Sequence, residues 1–275
     1  MKKVLQGTYV MELLRLLVRG LRNPAKATLH IFKVLDNKLG ITEVGRVSEG
    51  GQRIVVKDFL KAKASKDFST LAHVQRYEWC LSLLKEGTIV LDAGCGSGYG
   101  THFLAKNAKI KAIVGIDISP RAISFANKHF RTNNCIFLQM DVTKLKFRYN
   151  FFDAVISFDV IEHLSEANQR KFIDEVRRIV KPTGMLIIGC PNAKVSMGNN
   201  PFHVKELTMS EFHDLLHQYF EYVKLFGQDL MKRGKRAKER WWIFINDLSY
   251  NDLVIVEEDC DLCFGLLAVC KNPRK

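Results

Sequence analysis

Residues 88–100 read Thr-Ile-Val-Leu-Asp-Ala-Gly-Cys-Gly-Ser-Gly-Tyr-Gly, and this run decides how the rest of the chain is read. A short apolar strand around Val90 and Leu91 ends in an acid, Asp92, and breaks into a glycine loop. Gly94, Gly96 and Gly98 permit a tight turn and let a ligand approach the main chain. A helical pattern with Phe103, Leu104 and Ala108 as apolar positions follows from Tyr99. A nucleotide-like ligand is expected over such a strand–loop–helix junction.

The loop alone also fits a dinucleotide enzyme. A nicotinamide or flavin fingerprint, however, needs a small third residue for close helix–strand packing. Counted from Gly94, that position is the large Tyr99. Asp92 is an odd neighbour for a pyrophosphate and suits a ligand with a cationic end. Further strands follow at regular distances. Ile113–Ile116 closes on Asp117, placed to accept hydrogen bonds from two ribose hydroxyls. Phe137–Val142 carries Asp141, and Ala154–Phe158 runs into Asp159-Val160-Ile161-Glu162-His163-Leu164.

Taken together, VLDAGCGSGYG, GIDIS, QMDV and FDAVISFDVIEHL resemble the class I S-adenosylmethionine-dependent methyltransferases, and within them the type 11-like group, over roughly residues 70–272. The resemblance implies S-adenosyl-L-methionine as cofactor. It implies that Gly94, Gly96 and Gly98 pass under the methionine moiety, and Asp92 is expected among the residues that bind the cofactor. It also implies that Asp117 holds the ribose, Ile118 packs on the adenine, and Asp141 and Val142 read its edge. Arg76 and Tyr77, on the helix before the first strand, are expected near the methionine end, as is Asp159. The implied fold is α/β: a Rossmann-like, seven-stranded, mostly parallel sheet of order 3-2-1-4-5-7-6. Strand 7 is antiparallel, and helices cover both faces.

The alternation along the chain agrees with that fold. Helices are expected over 69–85, 98–108, 120–130, 166–181 and 208–220. The later strands are expected at 185–189, 222–226 and 264–269. Residues 1–68 read as a basic, amphipathic N-terminal helical extension, with helices over 9–22 and 24–38, ahead of a methyltransferase domain at 69–275. Residues 230–262, long for a hairpin connection, read as a basic insertion or lid.

Composition narrows the setting. The net charge is +13. Residues 1–46 hold nine Lys/Arg against three Asp/Glu, and residues 231–240 hold six against one. Such surfaces attract phosphates, acidic lipids, nucleic acids or anionic sugars. No apolar run is long enough to span a bilayer, and Met1-Lys2-Lys3 does not open a secretory signal. The seven cysteines form no disulfide framework. Cys260-x-x-Cys263 has no second pair and reads as structural. A cytoplasmic location is expected, with peripheral association at an anionic membrane surface as an extension of it.

Candidate catalytic residues are Glu162 and His163 after the fourth strand, and His203 in the run Asn200–Leu207. Both segments follow carboxyl ends of strands, where such sheets bind ligands. Asp159-x-x-Glu162-His163 also resembles the E-x-x-E-H motif of magnesium-dependent O-methyltransferases acting on catechols or RNA 3′ ends. The RNA enzymes draw a later histidine into the metal site. Here the first position is the shorter Asp, and many metal-free relatives have Glu-His at this point. No metal is therefore expected; Asp159, Glu162, His163 and His203 are the ligand set should one bind. The expected function is methyl transfer, most simply to oxygen, on a small or lipid-linked anionic acceptor. The alternatives are an RNA 2′-O-methyltransferase and a non-catalytic cofactor-binding scaffold. The oligomeric state is left open.

Overall fold

A computed structural model of the chain describes residues 63, 68–196, 200–232, 235–236, 249–257 and 260–274. The expected helices at 9–22 and 24–38, and most of the basic 231–244 segment, lie outside the described residues.

Among the described residues nine strands form the sheet: β1 (Ile89–Ala93), β2 (Ala112–Asp117), β3 (Cys135–Gln139), β4 (Phe152–Phe158), β5 (Val180–Pro191), β6 (Phe220–Lys232), β7 (Lys235–Arg236), β8 (Leu253–Val256) and β9 (Gly265–Pro273). The order is β3-β2-β1-β4-β5-β9-β6-β7, with β8 pairing β6. Pairing is parallel from β3 to β5, and β9 runs antiparallel between β5 and β6. The expected seven strands thus occur in the expected order, and β7 and β8 are additions. Both lie in or beside the expected insertion. Its first residues, 230–232, continue β6, and Leu253–Val256 return to pair with that strand.

Five helices pack on the sheet: α1 (Phe68–Leu83), α2 (Tyr99–Asn107), α3 (Pro120–His129), α4 (Glu166–Ile179) and α5 (Met209–His217). The period-two alternation of the strands divides the core between the two faces. Val114 and Ile116 of β2 and Phe152 and Val155 of β4 join Phe172 and Val176 of α4 and Phe212 of α5. Ile113 of β2 and Ala154, Ile156 and Phe158 of β4 join Val74 of α1, Leu104 of α2 and Ile123 of α3.

Local chemistry sets the boundaries. Ser119 caps α3, its hydroxyl accepting from the Ala122 amide, and Pro120 occupies the first turn, where its missing N–H costs nothing. Thr208 and Glu211 form a reciprocal capping box that starts α5. Several boundaries differ from expectation: the strands expected at 154–158, 222–226 and 264–269 span Phe152–Phe158, Phe220–Lys232 and Gly265–Pro273, and two further differences change the setting of particular residues. β3 ends at Gln139, so Asp141 and Val142 lie in the loop beyond it. β5 begins at Val180 rather than Met185, and Pro182–Gly184 sit within it as an irregularity. There Val180 pairs Phe152, while the next pair is Met185 with Ala154.

Candidate active site

The glycine loop is tied to the end of β2. The amides of Gly94 and Cys95 both donate to the Ile116 carbonyl, each at 2.8 Å. The Gly96 amide donates to Asp117 Oδ2 at 3.1 Å, and the Ser119 amide donates to Asp117 Oδ1 at 2.8 Å. One carboxylate therefore fixes both the loop and the start of α3. Gly94, Gly96 and Gly98 all have positive φ, at 88°, 54° and 86°. Their surroundings differ. A Cβ on Gly94 would lie 2.1 Å from Val160 Cγ2, and one on Gly98 would lie 2.7 Å from both Ala126 Cβ and a Phe137 ring carbon. A Cβ on Gly96 would meet nothing within 4 Å. Gly94 and Gly98 are thus packing glycines, and Gly96 carries bare main chain at an open space.

That space is a cavity of about 740 Å³. Ile118, Asp141 and Val142 line it together with Gly94, Gly96, Asp117, Tyr77 and Arg76, and Glu162, His163, Asn200 and His203 belong to the same wall. Gly98 and Asp92 are not on the wall. Ile118 keeps 62% of its surface exposed, an unusual position for isoleucine and a ready ledge for a flat apolar ring. Asp141 Oδ1 accepts from the amide and hydroxyl of Thr143, both at 2.8 Å.

Asp92 lies beneath the loop. Thr101 Oγ1 donates to it at 2.6 Å and Tyr77 Oη at 3.1 Å. Burial pushes its carboxyl up to about 6, against the opposing pull of these two hydroxyls. The Tyr77 phenol is itself raised by burial and by the charge of Asp92.

Asp159 sits just past β4 with φ 51°, a left-handed conformation uncommon for a non-glycine residue. α1 clamps it: Arg76 Nη1 lies 2.5 Å from Oδ1 and His73 Nε2 lies 2.6 Å from Oδ2. Burial alone would raise its pKa, but the Arg76 charge and the His73 contact outweigh this and hold it well below the usual carboxylate range. With both oxygens engaged, Asp159 stands apart from the other three acids and imidazoles expected at this end.

Those three do come together. Glu162, His163 and His203 offer ligand-type atoms within 4.8 Å of one another, which makes them the metal-compatible cluster among the described residues. Cys260 and Cys263 are buried and do not join it. Glu162 is 1% exposed, and among the described residues neither of its carboxylate oxygens has a hydrogen-bond partner. Burial, reinforced by the negative charge of Asp159, raises its pKa well above the ordinary value; its own main chain and Arg76 oppose this less strongly. A buried carboxyl left without a partner costs free energy unless something that enters the cavity satisfies it.

Residues that the sequence did not single out build the cluster. The amides of Val204 and Lys205 donate to the Glu162 carbonyl at 2.8 and 3.1 Å. Buried Gln169, from α4, donates to the carbonyls of Ile161 and Lys205 at 3.0 and 2.8 Å. These bonds staple the 200–207 loop to the turn that carries Glu162 and His163. His163 Nδ1 contacts the Phe202 carbonyl at 2.8 Å, and its ring meets that of His203 edge to face at 5.1 Å. His203 Nδ1 pairs with Glu206 Oε1, and Asn200 Nδ2 approaches His203 Nε2 at 2.7 Å. A histidine beside a carboxylate three residues on is visible in the sequence, but only the folded loop makes it a contact.

Residues 91–188 match the family model described as a methyltransferase domain. A probable S-adenosylmethionine-dependent methyltransferase of Mycobacterium tuberculosis is 33% identical over 132 residues, 46% of each chain. The phosphoethanolamine N-methyltransferase of Plasmodium falciparum is 34% identical over 211 residues, covering 58% of this chain and 79% of that protein. Against the first relatives of this kind, the chain spans about half of their length, 46–50%. In fold, the chain resembles a methyltransferase structure from Thermotoga maritima, with a TM-score of 0.57 and 19% identity over 78% of this chain and 93% of that one.

Proposed function

The chain belongs to the S-adenosylmethionine-dependent methyltransferase family, and from that premise we propose that it transfers a methyl group to an oxygen of a small or lipid-linked acceptor. The observation that carries this reading is the continuity of the cavity, from the glycine loop to the Glu162–His163–His203 cluster.

The cavity fits the cofactor on its own chemistry. Gly96 exposes main chain to open space, Asp117 holds a carboxylate beside it, and Ile118 offers an uncovered apolar surface. In this reading Asp117 accepts from the ribose hydroxyls and Ile118 supports the adenine, while Asp141 and Val142 meet the adenine edge. Gly94, Gly96 and the α1 residues Arg76 and Tyr77 enclose the methionine end. Asp92 and Asp159 shape that end from behind, the first under the loop and the second pinned to α1. When bound, S-adenosylmethionine supplies a methyl group on a cationic sulfur that leaves as a neutral thioether. The remaining work is to position an oxygen in line and remove its proton.

His203 is the base in this proposal, with Glu162 and His163 as the groups that meet the acceptor beside it. The acceptor hydroxyl gives its proton to His203 as its oxygen forms the new bond to carbon. Glu162, lacking a partner, accepts a hydrogen bond from a second donor on the acceptor. The walls described here carry Asp117, Asp141, Asp159 and Glu162, and their guanidinium, Arg76, is paired with Asp159. An anionic part of the acceptor, expected from the net charge, would therefore lie outside this cavity, toward the basic segments. Among the described residues no helix is long and apolar enough to cross a membrane.

The test is incubation of the protein with methyl-labelled S-adenosylmethionine and a cell extract, with and without RNase. Label in an organic-soluble or small-molecule fraction supports the proposal. Label in RNase-sensitive material would establish the RNA reading instead, and label in nothing would leave a non-catalytic scaffold.

A further inference from the structure

We propose that Glu206 is a positioning residue for His203: it holds the imidazole as its Nδ1–H tautomer, with the Nε2 lone pair presented, and stabilises the imidazolium formed when His203 takes the acceptor's proton. This rests on the assignment of His203 as the base.

Four contacts fix the arrangement. His203 Nδ1 meets Glu206 Oε1, and Ser196 Oγ donates to that same oxygen at 2.9 Å, which holds the carboxylate in place. On the other side of the ring, Asn200 Nδ2 lies 2.7 Å from Nε2. The Asn200 amide is not free to turn round, because its Oδ1 accepts from the Phe202 amide at 3.0 Å. An N–H therefore points at Nε2, which must accept, and the ring proton must sit on Nδ1, where it donates to Glu206. The side chains of His203 and Glu206 are 15% and 13% exposed, so water screens the pair little.

Charged and titratable groups face His203 from more than one element. Glu206 is on its own loop, and Glu162 and His163 stand on the turn after β4. Behind them Asp159 is neutralised by Arg76 and His73 of α1. Glu162 is the group with no partner of its own, whereas Glu206 points at Nδ1, away from the atom that would take the proton. An acceptor hydroxyl replacing Asn200 at Nε2 would give its proton to that nitrogen, its oxygen would bond the methyl carbon, and the carbon–sulfur bond would break. The added charge on the ring then lies directly beside the Glu206 carboxylate.

The experiment is nitrogen-15 NMR of the full chain with S-adenosylhomocysteine present, following two-bond proton–nitrogen couplings of the histidine rings. His203 is assigned by its disappearance in His203→Gln. The expected result is a pyrrole-type Nδ1 and a pyridine-type Nε2 in the unaltered protein. In Glu206→Gln the pyrrole-type signal of Nδ1 should weaken, because the carboxylate that accepts its proton is gone, and Glu206→Asp should restore part of it. The extract-labelling rate should fall on the order of 100-fold in Glu206→Gln, and by no further factor in the double variant with His203→Gln. An Nε2–H tautomer, an unchanged tautomer balance in a folded Glu206→Gln protein, or losses that multiply in the double variant would each overturn the proposal. If His203→Gln alone leaves labelling intact, His203 is not the base, and both the catalytic reading and the role of Glu206 fall. A labelling loss in His203→Gln with an unchanged tautomer balance in Glu206→Gln removes only the latter.

Discussion

Replacing Glu162 by methionine should make the protein more stable while abolishing its activity, and the gain should grow with pH. The side chain is 1% exposed, and both of its oxygens lack partners. Methionine has nearly the same length and no polar atom to satisfy, so the change removes a desolvation cost of about 1–3 kcal/mol without opening a large cavity. For a domain of this size each kcal/mol moves Tm by roughly 2–4 °C, which gives a rise of roughly 2–12 °C. The pH dependence follows from the raised pKa of the folded protein. Below the unfolded-state value, near 4.5, the carboxyl is neutral in both states and its contribution to stability is whole. As pH rises above that value the unfolded chain ionises first. The unfolded state then binds fewer protons than the folded one, and wild-type stability falls by about 1.4 kcal/mol per pH unit until the folded pKa is passed. Glu162→Met lacks this loss. Calorimetric Tm values for both proteins at pH 4.5, 6 and 8 should show a difference that widens with pH, alongside the disappearance of label transfer to extract. A Tm difference that stays constant with pH, or a variant less stable at pH 8, would refute the reasoning and imply a carboxylate satisfied in the folded protein.

Asp117→Ala should weaken binding of S-adenosylhomocysteine by about 2–4 kcal/mol, some 30- to 1000-fold in affinity, because it removes a charge-assisted acceptor and loosens the loop that the Gly96 amide ties to it; isothermal calorimetry on folded protein measures this, and equal affinity would sink the assignment. Gly98→Ala should cost roughly 2–4 kcal/mol, combining a left-handed φ with an overlap against Ala126 and Phe137, read as a lowered denaturation midpoint. Label transfer should survive EDTA; strict dependence on Mg²⁺ or Mn²⁺, lost again in Glu162→Gln and His203→Ala, would turn the Glu162–His163–His203 cluster into a metal centre. Changing Lys232, Arg233, Lys235 and Arg236 to Gln should reduce salt-sensitive cosedimentation with anionic liposomes, each cation near such a surface being worth about 1 kcal/mol; no binding by the parent protein at low salt would remove the membrane expectation.

The cofactor end was legible because its geometry is local. A strand, three glycines and a helix in succession leave few choices, and an acid closing the next strand falls beside the loop by chain spacing alone. The acceptor end was legible only as a set of residue types. Glu162 and His163 share one turn, yet nothing in the sequence says that Gln169, the fourth residue of the next helix, anchors the 200–207 loop onto that turn. Asp159 reads as an equal member of the Asp-x-x-Glu-His run. Its separation from the others comes from α1, more than eighty residues earlier, through Arg76 and His73. Asp141 reads as a strand end but lies beyond β3, since pairing with β2 stops at Gln139 opposite Asp117.

The pair of acids after β4 shows how one turn can hold two different chemistries. Asp159 and Glu162 are three residues apart, the first partly exposed and the second buried, and their environments drive them in opposite directions: the first stays ionised against Arg76, and the second is driven toward the neutral acid by burial and by the first. Groups pushed apart in this way are a physical mark of a reacting centre, since one keeps its charge while the other exchanges a proton or a partner. The arrangement depends on α1. Were Arg76 and His73 withdrawn, Asp159 would lose the charges that hold it down, and the two carboxyls would compete for one proton. The helix that lines the cavity beside the glycine loop thereby also sets the charge next to Glu162. Loop, helix and turn form one electrostatic unit around a single cavity, which is what in-line transfer between two bound molecules requires.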